Sequence, residues 1–155
     1  ETYKKIGDNF DNVYTDNFSD NTIRRLPRVI ECHEEFNELV MVGEMGSLNF
    51  YDRFETDFSF NVTNSYAVAF LHSMGSLKVT LSLELNFNQI KDIVESYQKR
   101  YKKHPNISVV VHTYPEVMIN KFNLLAKYDL KPFFYLEDEF NNKYYVDEIN
   151  SNINT

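Results

Sequence analysis

The chain has 155 residues, 43% of them hydrophobic, with 11 Tyr, 13 Phe and a formal net charge of −7. One domain with a packed core is the expectation at this length. The negative charge argues against a nucleic-acid-binding face, which needs a cationic surface to displace phosphate counterions. A single cysteine, Cys32, excludes an intrachain disulfide and a cysteine-ligated zinc or cluster site.

The sequence holds no apolar run of the roughly 20 residues that a membrane-spanning helix needs and no signal-peptide core. A cytoplasmic protein without a membrane partner is the expectation. Glycosylation patterns at Asn17, Asn61 and Asn106 are expected by chance in so Asn-rich a chain. The basic run Lys99 to Lys103 falls at a helix end, where cations suit the helix dipole.

Residues 1–22 form a polar N-terminal segment. Within it Tyr3, Ile6, Phe10, Val13 and Tyr14 have the spacing of a short helix. Arg24 to Ile30 reads as a short edge strand interrupted by Pro27. Glu31 to Glu38 reads as a polar helix. Leu39 to Val42 is a continuous apolar run, as in a strand buried on both faces, and ends in Gly43-Glu44-Met45-Gly46. Leu48 to Arg53 suggests a helical turn, and Asp57 to Phe60 the next strand.

Asn64 is placed to cap a helix over Ser65 to Met74, with Gly75 as its C-terminal stop. Val79 to Ser82 is a strand. Asn86 caps a long helix over Phe87 to Lys102, with Ile90, Ile93, Val94 and Tyr97 on one face. Ile107 to Val111 is a further strand, and Glu116 to Lys127 a further helix. Phe133 to Glu137 and Lys143 to Val146 predict a hairpin around Asn141-Asn142. The organisation expected is a polar segment 1–22, an α/β domain 23–147 and a flexible tail 148–155.

Short buried strands alternating with helices predict parallel β-α units. Their number is too small to close an eight-stranded (β/α) barrel, which takes about 250 residues. The expected fold is a partial, TIM-barrel-like α/β sheet, a C-terminal half-barrel fragment with a small terminal hairpin. The start at Glu1 fits a piece of a longer barrel, and the open edges invite a second copy or a related subunit.

Leu26-Pro-Arg28, Val42-Gly-Glu-Met-Gly46, Asp57 to Asn64 and Val79-Thr-Leu-Ser-Leu-Glu-Leu85 follow one another at a spacing that resembles the U32 peptidase family, the collagenase-like peptidases. The similarity continues through Val111-His112, Met118, Leu124-Leu125 and Tyr135 to Val146, so that it covers about residues 24–147. The resemblance implies a bacterial hydrolase barrel with a peptide or small-molecule substrate. Some relatives hold an iron–sulfur cluster on four cysteines. The two family cysteine positions reached here fall on Glu116 and Asn123, so an iron–sulfur cluster is not expected, and the sequence leaves any other cofactor open.

In parallel α/β sheets ligands bind at the carboxyl ends of the strands. Glu84 and His112 fall there as candidate catalytic acid and base. Glu44, Asn61, Asn64, Ser82 and Met118 are the candidate substrate-binding residues, and no metal ligands are assigned. Each has a plainer reading. Glu84 can serve a helix start, His112 can be structural, and Asn61 and Asn64 can be turn and cap residues. Ser82 lacks the glycines of a nucleophile elbow. His33-Glu34-Glu35 lacks the second histidine of a zinc helix. A binding or scaffold member of the same fold is the alternative to an enzyme, and the resemblance also allows a relative of the U32 hydroxylases that has lost its iron–sulfur cluster.

Overall fold

The computed structural model describes residues 12–15, 22–30, 33–119, 127–128, 134–146, 148–150 and 153–154. The chain forms two compact units, Glu1–Val111 and His112–Thr155.

The first unit is the parallel α/β half-barrel expected. Its sheet contains β1 (Tyr14–Thr15), β2 (Ile23–Arg25), β3 (Val40–Val42), β4 (Phe54–Thr56), β5 (Ser76–Thr80) and β6 (Ile107–Ser108). The strands lie in chain order and every neighbouring pair is parallel. Two helices follow β4 and β5: α1 (Ser65–Ser73) and α2 (Phe87–Tyr101).

Register decides which side chains face the helices. Val40 aligns with Phe54, and Val42 with Thr56 and Val79. This apolar face shares one core with Val68 and Leu71 of α1 and with Ile93 and Tyr97 of α2. Residues of opposite parity make the inner face of the curl. There Arg25 aligns with Met41, Met41 with Glu55, and Glu55 with Lys78.

Both helix starts are built as the sequence suggests. The Asn64 side chain accepts from the Tyr66 and Ala67 amides at 3.0 and 2.9 Å. Asn86 and Gln89 form a reciprocal capping box. Gly75 follows α1 with φ +108°, where an added Cβ would lie 2.2 Å from the Asp52 carbonyl oxygen, so only glycine fits.

Several local expectations are corrected. Asp57 to Phe60 is not a strand. The ladder runs over Phe54–Thr56 and stops because the Asp57 side chain accepts the Ser59 amide at 2.5 Å, opening a 3₁₀ turn over Phe58–Phe60. The helical turn expected at 48–53 is a 3₁₀ helix over Gly46–Asn49. Arg24 to Ile30 pairs only as far as Arg25. Leu26 still donates to the Met41 carbonyl at 2.8 Å, and Pro27 has no N–H to continue the ladder. Residues 33–38 form no helix, and side-chain bonds fix them instead, including Tyr51 Oη to the Glu34 carbonyl at 2.7 Å. The last strand pairs only over Ile107–Ser108.

Tyr14 belongs to a strand rather than to a helix, while residues 1–11 of that expected helix lie outside the described residues. Residues 116–119 have no regular structure, and 120–126 of the helix expected there are likewise outside. In the second unit β7 (Phe134–Glu137) and β8 (Lys143–Val146) form the antiparallel hairpin. Its turn is held by Asp138, which accepts from the Phe140 and Asn142 amides at 2.9 Å each. Within residues 148–155, β9 (Glu148–Asn150) pairs antiparallel with β10 (Ile153–Asn154). Among the described residues no helix is long and apolar enough to cross a membrane.

Candidate functional site

The carboxyl ends of β2 to β5 gather polar side chains in three groups. The first is centred on Glu44, just past β3. Its carboxylate accepts the Gly46 and Ser47 amides at 2.6 and 2.7 Å, the Ser47 hydroxyl in a very short bond, and His33 Nε2 at 3.0 Å. Burial would raise its pKa, but the Ser47 hydroxyl, His33 and the two amides together hold it below the usual carboxylate value. Serine, histidine and glutamate therefore meet, yet not as a hydrolytic triad. In a triad the acid orients one ring nitrogen and the serine uses the other. Here Glu44 and Ser47 share Nε2, and Ser47 donates to the glutamate.

The second group is an ion pair. Arg25 at the end of β2 reaches Asp57 past β4, with Nε at 2.9 Å and Nη2 at 2.8 Å from Oδ2. Asp57 is 2% exposed. Its other oxygen accepts from Ser59, whose hydroxyl also lies 2.7 Å from the Gly43 carbonyl. The pair thus ties three strand ends together.

The third group contains most of the residues expected from the sequence. Ser82, past β5, is buried and donates to the Asn61 side chain at 2.5 Å. Asn61 is held in the left-handed region at φ 49°, as the stop of the 3₁₀ turn. The Glu84 amide donates to Ser82 Oγ at 3.2 Å, and the Glu84 side chain is exposed. Asn64 caps α1. The structure therefore brings Asn61, Ser82 and Glu84 together, while Glu44 belongs to the His33–Ser47 group. His112 and Met118 lie in the second unit, both exposed, with the His112 ring edge-on to Tyr114 at 5.7 Å.

A fourth cluster crosses the inner face and was not foreseen. Tyr14 Oη on β1 donates to Glu55 Oε2 on β4 at 2.5 Å, and Lys78 Nζ on β5 donates to Tyr14 Oη at 3.1 Å. Lys78 also lies 3.4 Å from Glu55 Oε1. In a flat sheet β1 and β4 would be about 14 Å apart, at about 4.8 Å per strand. Strong curling is what lets these side chains touch. The Tyr14 pKa is raised by burial and by Glu55, against Lys78. The bond to Tyr14 raises that of Lys78, against burial and with help from Glu55. Lys78 is thus kept as an ammonium ion, the opposite of what an imine-forming lysine needs.

No family model, curated protein or solved structure matches the chain.

Among the described residues no group of three or more His, Cys, Asp or Glu side chains could hold a metal ion. Glu44, Asp57 and Ser82 are each committed to partners of their own unit. Sequence reasoning missed Arg25, Asp57, Tyr14, Glu55 and Lys78. The available signal was charge inside apolar strands: Glu55 between Phe54 and Thr56, and Lys78 beside Val79.

Proposed function

We propose that the chain is the substrate-binding half of a U32-type barrel, of the collagenase-like peptidase kind, without a complete catalytic centre of its own. Its substrate on this reading is a peptide or small molecule held at the strand ends, in a bacterial cytoplasm. The missing part of the barrel comes from another segment, a second copy or a related subunit. The observation that carries the reading is the state of the strand-end groups on a parallel half-barrel. Glu44 accepts from four donors, Asp57 is paired with Arg25, and Ser82 donates to Asn61. A general base or nucleophile must be uncommitted enough to take or give a proton. Of the third group, Glu84 alone presents a titratable side chain to solvent.

The test is an amide-resolved NMR titration with gelatin-derived peptides beside a fluorogenic peptide-hydrolysis assay. Saturable shifts are expected at 61–64 and 82–85, weakened in Glu84→Gln, without hydrolysis. Hydrolysis by the wild-type chain that Glu84→Gln abolishes would overturn the non-catalytic part. Shifts confined to other regions would overturn the site.

A further inference from the structure

The amino ends of β3 and β4, opposite the groups just described, carry a cavity of their own. Leu39 leads into β3 and Arg53 into β4, and between them opens a volume of about 440 Å³. That is within the range of small-molecule sites, about 300–1,000 Å³. Its lining includes the aromatic residues Phe36, Phe50 and Tyr51. Phe50 meets Tyr51 at 4.9 Å and 76°, and Phe36 runs nearly parallel to Tyr51 at 6.3 Å and 12°. The rings pack on one another, and Phe50 keeps 41% of its surface exposed. Tyr51 is fixed by its bond to the Glu34 carbonyl, and Phe50 is backed by the His33 ring at 4.9 Å.

Charge decides what these rings suit. Glu35, Glu38 and Asp52 line the same cavity with Arg53, and a second cation, Arg24, stands beside it over Phe36. None of the three carboxylates is in a salt bridge among the described residues. An anion would be repelled, and a neutral apolar ligand would leave the carboxylates unused. A cation uses both features, since aromatic faces attract cations through their quadrupole. One ring of the set already does so: the Arg24 guanidinium stands 4.8 Å over Phe36. We propose that this cavity binds an organic cation, an alkylammonium or guanidinium headgroup seated among Phe36, Phe50 and Tyr51 and neutralised by Glu35, Glu38 and Asp52. The headgroup belongs either to a free amine or to a lysine or arginine side chain of a peptide.

The experiment titrates the isotope-labelled chain with choline, with its uncharged isostere 3,3-dimethyl-1-butanol, and with the capped tripeptide Gly-Lys-Gly. Saturable shifts at Phe36 and at 50–53 are expected with at least one of the two cations. Choline alone assigns a free amine, and the tripeptide alone assigns a side chain. The isostere should bind at least tenfold more weakly than choline where choline binds. Phe50→Leu and, separately, the exposed pair Glu35→Gln/Glu38→Gln should each weaken the cation at least fivefold. The idea fails if neither cation gives saturable shifts, or if the isostere binds as well as choline. It also fails if the glutamine pair, which leaves the packed rings untouched, binds as tightly as wild type.

Discussion

At the scale of single residues, the strand ends are held by carboxylates with more donors than one bond requires. Glu44→Gln removes the charge that four donors address, and should cost about 1–3 kcal/mol in urea unfolding. Its pH dependence follows from the lowered folded value. The contribution of Glu44 is complete above its ordinary pKa of 4.5 and is lost as pH falls through the lowered value in the folded state. Melting curves of wild type and Glu44→Gln should therefore converge as the medium is acidified below pH 4.5. Asp57→Asn removes the carboxylate that the Arg25 guanidinium pairs with, and that guanidinium is about a quarter exposed. Solvent softens that loss, and about 2 kcal/mol is expected rather than the larger cost of a wholly buried pair. A double-mutant cycle with Arg25→Met isolates the pair, and additivity of the two single losses would contradict the coupling.

At the scale of elements, the stops and starts are fixed by side chains that the sequence shows openly. Asn64, Asn86 and Gly75 were all legible, because caps and left-handed stops depend on local chemistry. Asn86→Ala should cost about 1 kcal/mol by removing the capping-box acceptor. Gly75→Ala should cost more, about 2–3 kcal/mol, since its Cβ meets the Asp52 carbonyl in an already unfavourable backbone region. Equal thermal midpoints of wild type and Gly75→Ala would remove that claim. The short strands were placed less well. Apolar runs of three or four residues carry no period that separates ladder from loop. Asp57 illustrates the difficulty, for its turn-opening side chain ends the ladder where a strand over Asp57 to Phe60 was expected to begin.

At the scale of the whole molecule, alternation of strands and helices was enough to predict a parallel, partial barrel. The candidate site was legible only in part. Asn61, Ser82 and Glu84 converge because consecutive strand ends are neighbours in a parallel sheet. Glu44 has a different set of partners: the local amides of Gly46 and Ser47, and His33, eleven residues away, which no spacing rule connects to it. The inner-face cluster of Tyr14, Glu55 and Lys78 depends on curl, which sequence pattern does not encode. Tyr14→Phe should detach the first strand. Faster amide exchange at Ile23, whose N–H bonds the Val13 carbonyl at 2.8 Å, measures this, with Val79 and Leu81 unchanged.

That cross-sheet contact also has a consequence in time. Tyr14 is separated by 41 residues from Glu55 and by 64 from Lys78. Closing so long a loop is entropically slow to be rewarded. The first strand precedes β4 and β5 in the chain, and beyond its ladder with β2 its contacts to Glu55 and Lys78 cannot form until those strands are in place. It should dock late, after the folding barrier. Weakening its grip should then quicken unfolding while leaving the refolding rate nearly unchanged.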